Sequence, residues 1–125
     1  NDPIPQSQMP EFLSKFDAIL VSLSDIKLFR YGVSPNKLYD AYALGRPVIT
    51  TIPGIINEEV SKFKVGVTSK ADSASDLAIS IKKLFLLSRK EREKMSVNSR
   101  LLAEKEYSRE IICEKFYQII KSIIN

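Results

Sequence analysis

The sequence predicts an open α/β domain in three layers, a parallel sheet with helices on both faces, followed by C-terminal helices. Three observations carry that expectation. Ala18-Ile19-Leu20-Val21, Val48-Ile49-Thr50-Thr51 and Val65-Gly66-Val67 are short apolar or β-branched runs, the pattern of strands. Stretches of helical period separate them, and a strand–helix–strand–helix–strand order implies right-handed crossovers and parallel pairing. After Lys70 every apolar spacing is helical. The 125 residues suit one domain with a sizeable core, and no fixed-period repeat or internal boundary divides them.

Taken in order, residues 10–15 read as a short helix. The run Ala18-Ile19-Leu20-Val21 has no alternation, which predicts a strand buried on both faces. Residues 22–33 form a loop of about ten residues, where two to six is usual, and loops of that length tend to be functional. A helix opens at Ser34-Pro35. Ser34 is the expected N-cap, and Pro35 suits the first helical position, where its missing N–H has no partner in any case. Gly45 closes this helix as a left-handed cap with Pro47 just beyond. Leu38, Ala41, Tyr42 and Gly45 share one face and form its buried stripe. Pro53-Gly54 turns the chain, and residues 56–62 form a short helix. Asp72 or Ser73 caps the next helix, with Leu77, Ile81, Leu84 and Phe85 on one face. The charged run 89–94 leads into a helix carrying Met95, Leu101 and Leu102. Ser108 caps the last, with Ile112, Phe116, Ile119, Ile120 and Ile123 at helical spacing; the face of Ile119, Ile120 and Ile123 is expected to be partly uncovered.

Composition narrows the chemistry. There is no histidine, which removes the usual general base, the usual metal ligand and any Ser-His-Asp arrangement. With one cysteine, Cys113, no internal disulfide can form and a zinc site is not expected. Cys113 lies near the apolar face of the last helix and reads as core. Glycines 32, 45, 54 and 66 make neither a dinucleotide fingerprint nor a P-loop. The net charge of +4 suits an anionic ligand or a loose association with a membrane surface, and does not point to nucleic acid. No apolar run reaches the roughly 18 residues of a bilayer span. The start, without an initiator Met or a basic-then-apolar leader, reads as that of a fragment or a processed chain.

Ligands of open parallel sheets bind outside the carboxyl ends of the strands. There the helix opening Ser34-Pro35-Asn36-Lys37 is the most informative stretch. A helix N-terminus carries partial positive charge and several N–H groups without intrahelical partners. This one adds Lys37 rather than an acid, with Arg30 a few residues upstream. Backbone N–H groups, the Ser34 hydroxyl, the Asn36 amide and the Lys37 ammonium could together hold a phosphate. The alternative is an ordinary cap at Ser34 with Lys37 in water. Asp40, three residues on from Lys37, lies on the same side and could accept hydrogen bonds from a ribose diol; its alternative is a local Lys37–Asp40 ion pair.

The run Ser34-Pro35-Asn36-Lys37-Leu38-Tyr39-Asp40-Ala41-Tyr42-Ala43-Leu44-Gly45-Arg46-Pro47-Val48-Ile49 resembles the nucleotide-sugar-binding segment of GT-B glycosyltransferases of group 1 (family 4). Residues 10–21 and 98–122 are similar to the helix and strand before that segment and to the family's closing helices. The resemblance implies the C-terminal, Rossmann-like half of a retaining transferase that needs no metal and no cofactor. Its donor would be a nucleoside-diphosphate sugar, UDP-linked in many relatives, and its products surface polysaccharides or glycolipids made at the cytoplasmic face of the membrane. It implies diphosphate binding by Ser34, Asn36 and Lys37, and ribose binding by Asp40, where the family commonly has the second Glu of its motif. The first Glu, which contacts the donor sugar, would fall at Gly32, beside Val33; Gly32 has no carboxylate. An upstream Arg or Lys of many relatives has no counterpart here. The resemblance further implies that the acceptor-binding N-terminal domain and the first part of this domain lie outside the chain, so that the chain alone binds nucleotide weakly and does not turn over. Catalytic residues are not assigned.

Two other readings remain open. A UDP-sugar 2-epimerase shares the two-domain architecture, but relies on acidic and His residues in its cleft. A non-catalytic phosphate-binding or membrane-surface module would use Lys82, Lys83, Arg89, Lys90, Arg92 and Lys94, a cluster that Glu91 and Glu93 dilute toward a solvated helix face.

Overall fold

A computed structural model describes residues 3–124. Strands β1 (Ile19–Val21), β2 (Val48–Thr50) and β3 (Gly66–Thr68) form a parallel sheet in the order β1-β2-β3. The helices are α1 (Met9–Ser14), α2 (Asn36–Ala43), α3 (Ile55–Phe63), α4 (Ala74–Phe85), α5 (Arg89–Glu106) and α6 (Arg109–Ile124). The predicted parallel α/β fold with C-terminal helices is therefore present.

Register explains the layering. Leu20, Ile49 and Val67 are aligned across the three strands, so the pleat sends that row to one face and Ile19, Val21 and Val48 to the other. On the second face Ile19, Val21 and Val48 pack with Leu38, Ala41 and Tyr42 of α2, Ile56 and Val60 of α3, and Leu102 of α5. On the first, Ile49 and Val67 lie under Leu84 of α4, with Leu77, Leu87 and Met95 around them.

The α4 side of the sheet corrects two expectations. β1 is not covered on both faces: Leu20 is 41% exposed. The α4 helix packs on β3, and the β1 end of the row stays open as a groove of about 260 Å³ lined by Ala18, Ile49, Ile81, Leu84 and Phe85. For the same reason the buried stripe of α4 differs from the predicted one. Ser80 is buried and its hydroxyl donates to the Thr68 carbonyl (2.8 Å), whereas Ile81 and Phe85 flank the groove and are exposed.

Helix ends follow local chemistry. The Ser73 hydroxyl accepts from the Asp76 N–H, Ser88 and Glu91 form a reciprocal capping box on α5, and the Ser108 hydroxyl accepts from the Ile111 N–H at 3.4 Å. Gly45, at φ +61°, ends α2 as expected. The α6 helix packs against α5 and buries no residue; Ile112, Phe116, Ile119, Ile120 and Ile123 are all exposed. Cys113 is exposed too, so it is not core, because α6 buries no residue.

Gly66 shows how tightly the sheet is drawn together. A Cβ there would lie 2.0 Å from the Val48 carbonyl oxygen and 2.8 Å from its nitrogen, backbone atoms that cannot turn aside. Gly66→Ala should lower the unfolding free energy by about 3 kcal/mol or more, or prevent folding. Urea denaturation measures this, and a loss below about 1 kcal/mol would contradict the close approach of β3 to β2.

Candidate functional site

Because the strands are parallel, their carboxyl ends share one edge, and the segments following β1, β2 and β3 gather there. The long loop after β1 is folded rather than free. It contains a single 3₁₀ turn at Lys27–Arg30 and is tied down at three points. The Thr51 hydroxyl accepts from the Leu23 N–H and lies within hydrogen-bond reach of its carbonyl (both 3.2 Å). The Asp72 carboxylate accepts the Asp25 N–H at 2.8 Å. The Arg30 guanidinium forks onto the Asp25 carboxylate at 2.7–3.0 Å. The turn also rests on Gly54, where φ is +80° and a Cβ would come within 2.3 Å of the Arg30 carbonyl oxygen. Arg30, expected to add positive charge near the helix opening, is thus committed to Asp25.

Two cavities open at this edge, on either side of Lys70. One, of about 430 Å³, is lined by Ser22, Ser24, Thr51, Asp72 and Ser73; the other, of about 400 Å³, by Asp25, Pro53, Asn57, Thr68 and Asp76. Asp76 accepts the Lys70 N–H (2.7 Å) and the Ser69 hydroxyl (3.3 Å). The segments after the three strands, residues 22–37, 51–54 and 68–70, are the stretches that a parallel sheet marks for ligand binding, and they supply most of this lining. Asp76 and Asn57 carry no sequence signal beyond their helix positions.

The predicted site residues stand at the start of α2. Its N-cap is Pro35, at φ −75° and ψ 112°, and no side chain caps the helix. Ser34 is therefore not the cap. The extended Pro35 puts the helix start one residue later than expected, and the Ser34 hydroxyl instead donates to the Tyr39 hydroxyl at 3.3 Å. The N–H groups of Asn36 and Lys37 lie in the first turn, where intrahelical acceptors are lacking, and that turn contains no acidic residue. Ser34, Asn36, Lys37 and Asp40 are all exposed, as is Gly32, while Val33 is half-buried. Among the described residues neither Lys37 nor Asp40 forms an ion pair, so the local Lys37–Asp40 pair is not made. The four residues cluster within two helical turns on an open surface; none of them lines either cavity.

Behind that surface lies a cluster the sequence did not reveal. The buried Tyr42 hydroxyl donates to Glu59 Oε1 at 3.2 Å, and the Tyr107 hydroxyl donates to Glu59 Oε2. The Tyr39 and Tyr107 rings lie 4.8 Å apart, and those of Tyr42 and Tyr107 6.2 Å apart. One carboxylate of α3 thereby joins α2 to the end of α5. Burial, then the neighbouring Glu59 carboxylate, pushes the Tyr42 phenol well above its ordinary range; burial and the Glu59 hydrogen bond do the same to Tyr107.

The basic cluster lies at the turn between α4 and α5. Since α4 follows β3, it starts at the carboxyl edge and ends at the opposite one, away from the α2 opening. Part of the cluster is used internally. Arg92 donates to the Phe85 carbonyl (3.3 Å) and the Leu87 carbonyl, and Arg89 pairs with Glu93 at 2.8 Å. Among the described residues no His, Cys, Asp and Glu group is arranged to hold a metal ion, and no helix is long and apolar enough to cross a membrane.

No protein-family profile and no curated protein sequence matches the chain.

The tyrosine cluster sets a pH dependence. Both phenols have folded-state pKa values raised above the unfolded value of about 10. Their contribution to stability is complete below that pH and is lost as pH rises through the folded values. Thermal stability should therefore fall above about pH 10, and Tyr42→Phe or Tyr107→Phe should reduce that alkaline loss. An absorbance titration in which Tyr42 and Tyr107 ionise before circular dichroism reports unfolding would contradict the arrangement.

Proposed function

We propose that the chain is the donor-binding part of a retaining, metal-independent GT-B glycosyltransferase of group 1 (family 4). In this reading it moves a sugar from a nucleoside-diphosphate sugar, UDP-linked, to an acceptor in surface polysaccharide or glycolipid synthesis, at the cytoplasmic face of the membrane. The acceptor is held by a second domain. The observation that carries the reading is the α2 opening, an uncapped first turn without an acid, with Lys37 exposed and unpaired.

The diphosphate lies against the N–H groups of Asn36 and Lys37, with the Lys37 ammonium and the Asn36 amide as further donors; the Ser34 hydroxyl joins them on turning its proton from the Tyr39 hydroxyl. Asp40, one turn along, accepts from the ribose hydroxyls. The sugar lies toward Gly32 and Val33, where the absence of a carboxylate leaves its hydroxyls to other groups. As the bond from the anomeric carbon to the diphosphate oxygen breaks, negative charge builds on the leaving oxygen. The backbone N–H groups, fixed by the helix, stabilise that charge with little reorganisation.

A charge-assisted hydrogen bond contributes about 1.5–3 kcal/mol, or roughly a tenfold change in affinity at the lower bound. UDP should therefore bind saturably in calorimetry, and Lys37→Ala should weaken it by at least about tenfold. Asp40→Ala should narrow the preference for UDP over its 2′-deoxy counterpart. If UDP moves no amide resonance between residues 34 and 40, the donor-site reading is wrong.

A further inference from the structure

Helix α2 spans eight residues and has no side-chain cap, so little of its placement comes from its own sequence; helices this short are marginal without packing. Its end is held by α5. The Arg100 guanidinium donates to the Ala43 carbonyl, and the backbone of Ser96 lies against Gly45, where a Cβ would meet the Ser96 carbonyl oxygen at 3.2 Å. Its middle is held by the buried side chains of Leu38, Ala41 and Tyr42. The first turn, which carries Lys37, is held differently. Ser34 reaches the Tyr39 hydroxyl, and the Tyr39 ring leans on the Tyr107 ring at 4.8 Å and 53°. Tyr107 is the C-cap residue of α5, with its N–H on the Ala103 carbonyl, and its hydroxyl is fixed by Glu59.

We infer that Tyr107 is the positioning residue for the first turn of α2: its ring backs Tyr39 and its hydroxyl is anchored on Glu59, so that it sets where the Lys37 ammonium and the uncapped N–H groups stand. It acts through Tyr39 and touches no ligand. The inference rests on the donor-site reading for what that turn holds. Its placement adds a consequence. Tyr107 immediately precedes Ser108, whose hydroxyl caps α6, so the junction that orients α6 is also the one that backs the proposed diphosphate site.

The test compares Tyr107→Leu, Tyr107→Phe and Met95→Ala in the full chain at a temperature where each is folded. Met95 packs in the cluster on the other face of the sheet and controls for lost stability alone. Tyr107→Leu should weaken UDP binding by at least about fivefold, Tyr107→Phe, which keeps the ring against Tyr39, by no more than about threefold, and Met95→Ala by less than about twofold. Equal weakening by Tyr107→Leu and Met95→Ala, or none by Tyr107→Leu, overturns the inference. The amide resonances of Asn36, Lys37 and Leu38 in the ligand-free protein give a second readout that needs no nucleotide. Their displacement by Tyr107→Leu and not by Met95→Ala supports the positioning role. If they stay in place, it is overturned. If the unaltered protein binds no UDP, the donor-site reading falls, and the amide comparison alone decides the role of Tyr107.

Discussion

The first turn of α2 has no counter-charge of its own. Helices usually answer the partial positive charge of their N-terminus with an acid or a capping side chain; here a proline stands at the cap, and a lysine follows in the turn. Such a turn gains from an anion, and the parallel sheet places it on the edge where ligands of open α/β folds bind. The proposed function depends on that imbalance, and so does the value of every contact that keeps the turn in place.

Those contacts come from far along the chain. Glu59 and Tyr107 are 48 positions apart, and the carboxylate they share with Tyr42 fastens α2, α3 and α5 to one another. The same logic shapes the long loop after β1, which is tied to the segment after β3 through Asp25 and Asp72 and to the segment after β2 through Thr51. The carboxyl edge is therefore a set of loops locked together by polar contacts, with α2 clamped from behind by aromatic ones. The basic turn between α4 and α5 lies at the other edge and spends Arg92 on closing its own backbone carbonyls.

What could be read from the sequence is what local spacing determines. The three strands, the end of α2 at Gly45 and the caps at Ser73 and Ser108 depend on residues within a few positions of one another. Ser34 misled because the proline after it is compatible with either the first helical position or the cap, and the choice is made by the extended ψ of Pro35. Leu20, Ile81 and Phe85 misled because burial depends on which neighbour covers a face, and α4 seats over β3. The Ser88–Glu91 capping box has the Ser-x-x-Glu spacing of such a box, and its charged surroundings, residues 89–94, mask it. For the candidate site, the residues at the α2 opening were legible, since they are contiguous. The Tyr39–Tyr42–Tyr107–Glu59 cluster was not, since no local pattern joins its members.

The most direct measurement is a titration of the labelled chain with inorganic pyrophosphate, followed by amide resonances, because it isolates the anion from base and sugar. Saturable movement centred on the amides of Asn36 and Lys37, abolished by Lys37→Ala, is the expected result. Movement confined to the two cavities beside Lys70, or no movement anywhere, would contradict the claim that the uncapped turn of α2 holds the diphosphate.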